Sequence, residues 1–122
     1  MPLYTLTNPI YPYTVYVIFE PDFEKAIALL PSFLPIEEVK ENFRDTPIQG
    51  ARTLNLCENN LALITWCPMP EEKKFVHPGL LAHEMLHVTS IIMQEIGIPL
   101  NDDTDEAYCY FLQYLINELL QQ

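Results

Sequence analysis

Positive charge is what this chain has least of. Six lysines and arginines stand against seventeen aspartates and glutamates, giving a net charge of -11 over 122 residues. The few cations are scattered, so no row of them could neutralise successive phosphates, and nucleic acid and an anionic membrane are both excluded as partners. Long apolar runs are missing as well, for no stretch approaches the roughly eighteen residues of a membrane span. The opening MPLYTLTNPIYPYT lacks the basic start and apolar block of a secretory signal, so a cytoplasmic protein is the expectation.

Cysteine is scarce and unpatterned. Cys57, Cys67 and Cys109 are odd in number and fit no CxxC spacing for metal or redox chemistry. A hairpin turning near residues 58–60 would set Cys57 opposite Ala62 and Cys67 near Arg52, too far apart to bridge, so buried, reduced, structural thiols are expected. Internal repeats, low-complexity segments and a dividing linker are also absent. What is present is ordinary for a folded domain: 49% apolar and 19% charged residues, in a chain long enough for one domain, 1–122, with a modest core.

Taken in order, residues 1–13 are rich in proline and tyrosine, have no period, and read as an extended lead-in. TVYVIFE, 14–20, is β-branched and aromatic and lies between Pro12 and Pro21, which predicts a strand. Phe23, Ala26, Ile27 and Leu30 recur at helical spacing before Pro31, predicting a short helix. The mixed charges of 34–50 suggest one or two exposed helical turns. ARTLNLC and LALITWC then predict an antiparallel hairpin, and the proline-rich, charged PMPEEKKFVHP a loop.

Pro78 suits a first helical turn and Gly97 with Pro99 a stop, so a helix is predicted over 78–96. Inside it lies HEMLH. His83 and His87, four residues apart, share a helical face and can bind one metal ion, with Glu84 beside them as general base for a bound water; this is the HExxH zinc signature. His83, His87, Ser90 and Gln94 form one stripe with Glu84 at its margin. Leu81, Ala82, Met85, Leu86, Val88, Ile92, Met93 and Ile96 form the face expected to be buried. His77, next to Pro78, reads as a cap or loop residue. A second helix is predicted over 102–120, capped by Asn101 or Thr104. It is apolar over most of its circumference except for a stripe of Glu106, Tyr110, Gln113, Asn117 and Gln121.

A catalytic zinc takes three protein ligands and keeps a fourth position open, so a third ligand must come from elsewhere. Glu106 follows His87 by nineteen residues in the first turn of the next helix, which a short connection would fold back along the first. Asp102 and Asp105 compete with it, Asp102 being the better placed. Tyr108, Tyr110 and Tyr114 read as core or interface aromatics, and Tyr110, on the stripe of Glu106, is the one that could donate to a developing oxyanion.

HEMLH, the helix running on to Gly97, and the acid within TDEAY resemble the zincin metallopeptidases of the glutamate-ligand branch, the gluzincins, in a short form similar to phage and prophage HExxH proteins. The resemblance covers roughly 52–118. It implies an α+β fold with a minimal zincin-like core, a small antiparallel or mixed sheet packed on the HExxH helix and a C-terminal helix. It further implies zinc held by His83, His87 and Glu106, and LALITW, 61–66, as the sheet edge on which a peptide substrate adds a strand. The chain departs from the thermolysin-like pattern at Tyr110, where that pattern has an acid. The expected activity is zinc-dependent peptide hydrolysis. The alternative is a zinc-binding protein of the same fold, catalytically weak or inactive, acting as a binding or assembly module and pairing with a second copy or another protein through its C-terminal helix.

Overall fold

The computed structural model describes residues 3–7, 13–44, 51–56, 62–67 and 78–121. The expected turn near 58–60, the loop 68–77 with His77, and Cys57 lie outside the described residues.

The strand TVYVI is β2, Thr14–Ile18, and its residues are buried on both sides. It pairs antiparallel with β1, Leu3–Thr7, and parallel with β4, Ala62–Trp66, which in turn pairs antiparallel with β3, Arg52–Leu56. The order across the sheet is therefore β1-β2-β4-β3. Strand alternation sends Val15, Val17 and Leu63 to one face and Tyr16, Ile18, Ile64 and Trp66 to the other. Each face is covered by a pair of helices, in keeping with the α+β expectation.

The second face packs on α1, Phe23–Leu29, and α2, Ile36–Phe43. Asp22 caps α1 by accepting a hydrogen bond from the Lys25 N–H at 2.9 Å. α2 is more than exposed turns, because Val39 and Phe43, four residues apart, are buried, and the Phe43 ring tilts against Trp66 at 5.8 Å.

The first face packs on α3, Pro78–Glu95, and α4, Asp105–Leu120. Leu81, Met85, Val88 and Ile92 make the buried stripe of α3, and Tyr108, Phe111, Leu115 and Leu119 that of α4. Ala82 and Leu86, expected in the core, are exposed instead, since the stripe facing the sheet is narrower than the apolar composition of the helix. Gly97, at φ +85°, ends α3: its N–H bonds to the Gln94 carbonyl at 3.0 Å and that of Ile98 to Met93 at 2.9 Å, the paired bonds of a Schellman cap. Asn101 and Thr104 then fold the connection, with the Asp105 N–H on the Asn101 carbonyl at 2.9 Å. The Tyr108 hydroxyl donates to the Ile98 carbonyl at 2.6 Å and ties the first turn of α4 to the exit of α3.

Three further readings of the sequence change here. The lead-in contains β1, whose extended chain gains a partner. LALITW is not the sheet edge: β4 lies between β2 and β3, and among the described residues the outermost strand on this side is β3. Parallel pairing of β2 with β4 is what pushes the first strand of the hairpin outwards. The hairpin register is also one residue removed from the expected one, with Leu56, not Cys57, opposite Ala62. No helix among the described residues is long and apolar enough to cross a membrane.

Candidate metal centre

The helical repeat that buries Leu81, Met85 and Val88 leaves His83 and His87 on the exposed side of α3, one turn apart. Their Nε2 atoms are 3.1 Å from each other. Two imidazole nitrogens on one tetrahedral zinc, each at about 2.0–2.1 Å, stand roughly 3.3 Å apart, so the pair is set for a shared ion with little movement. Glu84 completes a group of three side chains whose ligand atoms all lie within 4.8 Å of one another and which could hold a metal ion. Two imidazoles and a carboxylate form a donor set suited to a borderline divalent cation.

Glu84 was expected at the margin of the polar stripe, and the structure buries it at 3% exposure. Burial of a carboxylate is costly unless its oxygens find partners. Here β3 supplies one, for the Thr53 hydroxyl donates to Oε1 at 3.0 Å. Thr53 stands directly across the ladder from Thr65, and the two hydroxyls are 3.0 Å apart. The other carboxylate oxygen, Oε2, is 3.7 Å from His83 Nε2. Beneath lies Cys67, fully buried, its thiol pushed up to about 12 by burial first and by the Glu84 charge second. Cys67 thus matches the expected buried thiol, whereas Cys109 on α4 is exposed.

A cleft of about 260 Å³ opens over the group, walled by residues 51–53 on one side and by His83, Glu84, His87 and Ile91 on the other. It runs between α3 and the sheet's β3 edge. Arg52 lines it, while its guanidinium Nη1 donates to the Asn42 carbonyl at 3.0 Å and so braces the edge strand on α2.

The structure does not bring Glu106 or Tyr110 to this place. Both are exposed, Tyr110 at 67%; Glu106 is not in the His83, Glu84, His87 group, and neither residue lines the cleft above it. Two physical reasons account for it. Glu106 sits about 160° around α4 from Tyr108, which is buried in the core, and so points to solvent. The start of α4 is also fastened to the exit of α3, and at about 1.5 Å per residue the end of that helix, Glu95, lies about 12 Å along the axis beyond His87. Asp102 and Asp105 are exposed at the same end and are not members of the group either. Reasoning from the sequence missed Thr53 and Thr65, whose signal is a pair of threonines facing each other in the hairpin once its register is right.

Compared with protein-family models, with curated proteins and with solved structures, the chain gives no match in any of the three.

Proposed function

We propose that this protein is a zinc-dependent metallopeptidase of zincin type. The observation that carries the reading is the pair of imidazole nitrogens 3.1 Å apart on HEMLH with a buried, hydrogen-bonded carboxylate next to them. His83 and His87 would hold the ion. Zinc, when bound, supplies a Lewis acid for a peptide carbonyl and makes a coordinated water acidic, with a pKa of about 7. Glu84 takes the proton released by the attacking water and passes it to the departing amine. Glu106 and Tyr110 are left out of the assignment because Glu106 is not among the side chains gathered at the histidines and neither residue lines the cleft.

β3, the outermost strand on this side among the described residues and next to the cleft, suits the approach of an extended peptide, which could add to the sheet as a fifth strand. Two observations favour a second reading, a zinc-binding protein that assembles with a partner. Tyr110 and Leu120 on α4 are 67% and 70% exposed, and among the described residues the metal group has no third ligand besides Glu84. The two readings separate in one experiment, zinc content measured together with hydrolysis of a mixed peptide library, on wild type and Glu84→Gln. The peptidase reading expects Glu84→Gln to keep stoichiometric zinc and lose activity by roughly 10²–10⁴. Zinc binding without cleavage by the wild type would leave the second reading; no zinc at all would remove both.

A further inference from the structure

We propose that Thr53, on the edge strand, is a positioning residue for Glu84: its hydroxyl fastens Oε1 and so turns Oε2 towards the histidines. The inference deepens the peptidase reading and rests on it for its kinetic arm alone.

Three buried polar side chains stand out among the described residues, Thr65, Glu84 and Thr89. Thr89 is satisfied within α3, donating to the Met85 carbonyl at 2.8 Å. The other two are joined through Thr53. An ionised carboxylate only accepts, so the single Thr53 proton goes to Oε1 at 3.0 Å, and the Thr53 oxygen is left to accept from Thr65 at 3.0 Å. The chain of hydroxyls therefore has one direction, from Thr65 through Thr53 to Glu84. Both threonines are β-branched and stiff at χ1, and their strands fix them opposite each other.

That rigidity is passed to a group that otherwise lacks it. The terminal torsion of a glutamate is broad, and a free carboxylate samples many orientations. With Oε1 held from the sheet side, rotation is removed and the second oxygen has one place to be, 3.7 Å from His83 Nε2 and outside hydrogen-bond range of it. A base for a water activated at His83 and His87 needs this, since a misplacement of about 1 Å can cost on the order of 10²-fold in rate. The edge strand thus holds the base from one of its faces, next to the cleft in which a peptide would lie.

The test uses the zinc-loaded full chain with Thr53→Val, which keeps the branched shape without the hydroxyl, and Thr53→Ser, which keeps the hydroxyl. Thr53→Val is expected to lower kcat by about 10- to 100-fold with KM within about twofold and zinc affinity within about threefold, and Thr53→Ser to recover to within about threefold of wild type. Wild-type kcat in a folded Thr53→Val protein overturns the proposal, as does a Thr53→Ser protein as impaired as Thr53→Val. Should Thr53→Val fail to fold, Thr53→Ala carries the same expectations. A second readout needs no turnover. In protein labelled with ¹³C-carboxylate glutamate, the wild type minus Glu84→Gln infrared difference isolates the Glu84 bands, and Thr53→Val should shift the antisymmetric stretch. An unshifted band sinks the anchor even in an active enzyme; a shifted band in a protein that cleaves no peptide keeps the anchor and removes the peptidase reading.

Discussion

Ligand-type carboxylates stand in two places in this acidic chain, one within α3 and four leading into α4, and the two are built in opposite ways. Glu84, in α3, is buried and held by a hydroxyl from a neighbouring strand. Asp102, Asp103, Asp105 and Glu106, leading into α4, stand in solvent, and their turn satisfies itself: the Asp103 N–H donates to the Asn101 side chain at 2.8 Å and the Glu106 N–H to the Asp105 carboxylate at 2.9 Å. Burying a charge is unfavourable and persists only where the fold supplies partners. A cluster of acids at a helix start needs no such support, because water solvates it and the helix dipole favours it. The number of ligand-type residues is therefore a poor guide to a metal centre, and the cost of placing them a better one.

The sharpest way to break this contrast is to remove a histidine. His87→Ala should weaken zinc binding by more than about a hundredfold, since even residues supporting a ligand are worth about 10–100-fold. Competition with a chelating dye measures it, and circular dichroism checks that α3 survives. Wild-type affinity in His87→Ala would show that the zinc is held somewhere other than HEMLH, and the comparison would invert.

That experiment also tests how far the sequence could be read. β2, α1, the hairpin and α3 were legible because each carries a strong local signal: a β-branched run between prolines, a capped apolar repeat, and a helix closed by Gly97. The α+β class, which the resemblance implied, is the one these elements build. β1 and α2 were less so, for LYTLT has no flanking apolar period and α2 shows only Val39 and Phe43 as fully buried anchors among its charges. The choice of edge strand was misread for a reason of topology. ALITW is apolar at every position but Thr65, and such strands are buried on both faces, while RTLNL carries Arg52 and Asn55, both exposed, as an edge strand does. At the site, the two histidines were legible from spacing alone. Thr53 was hidden by a slip of one residue in the hairpin register, which moves every side chain to the other face of the sheet. Glu106 is close to His87 when the separation is counted in residues, whereas α3 runs on for two further turns before the chain can return, and Glu106 is not in the group at the histidines.

A smaller effect is expected at the junction that keeps the two regions apart. Gly97 holds φ at +85°, and a Cβ placed there would meet nothing within 4 Å. Gly97→Ala should then cost about 1 kcal/mol from backbone conformation alone. Urea unfolding would read this as a lower midpoint at unchanged slope, with zinc affinity within about twofold of wild type. A large loss of zinc affinity in Gly97→Ala would mean that the path into α4, and not only α3, sets the metal site.

The smallest effect is the most telling about α4. Glu106→Gln keeps the size and the hydrogen-bonding reach of the side chain and removes only its charge. On the outer side of α4 that charge interacts with the helix start, where Asp105 also stands, so about 0.3 kcal/mol of stability is at stake. Zinc affinity should stay within about twofold, and the unfolding midpoint should barely move. A fall in zinc affinity comparable to that of His87→Ala would require the first turn of α4 to leave its anchor at Ile98 and reach the histidines once the ion is bound. The Tyr108 to Ile98 bond would then be a latch, and Tyr108→Phe would raise zinc affinity; an unchanged Tyr108→Phe protein beside a zinc-competent Glu106→Gln leaves the acids of α4 as a solvated helix start.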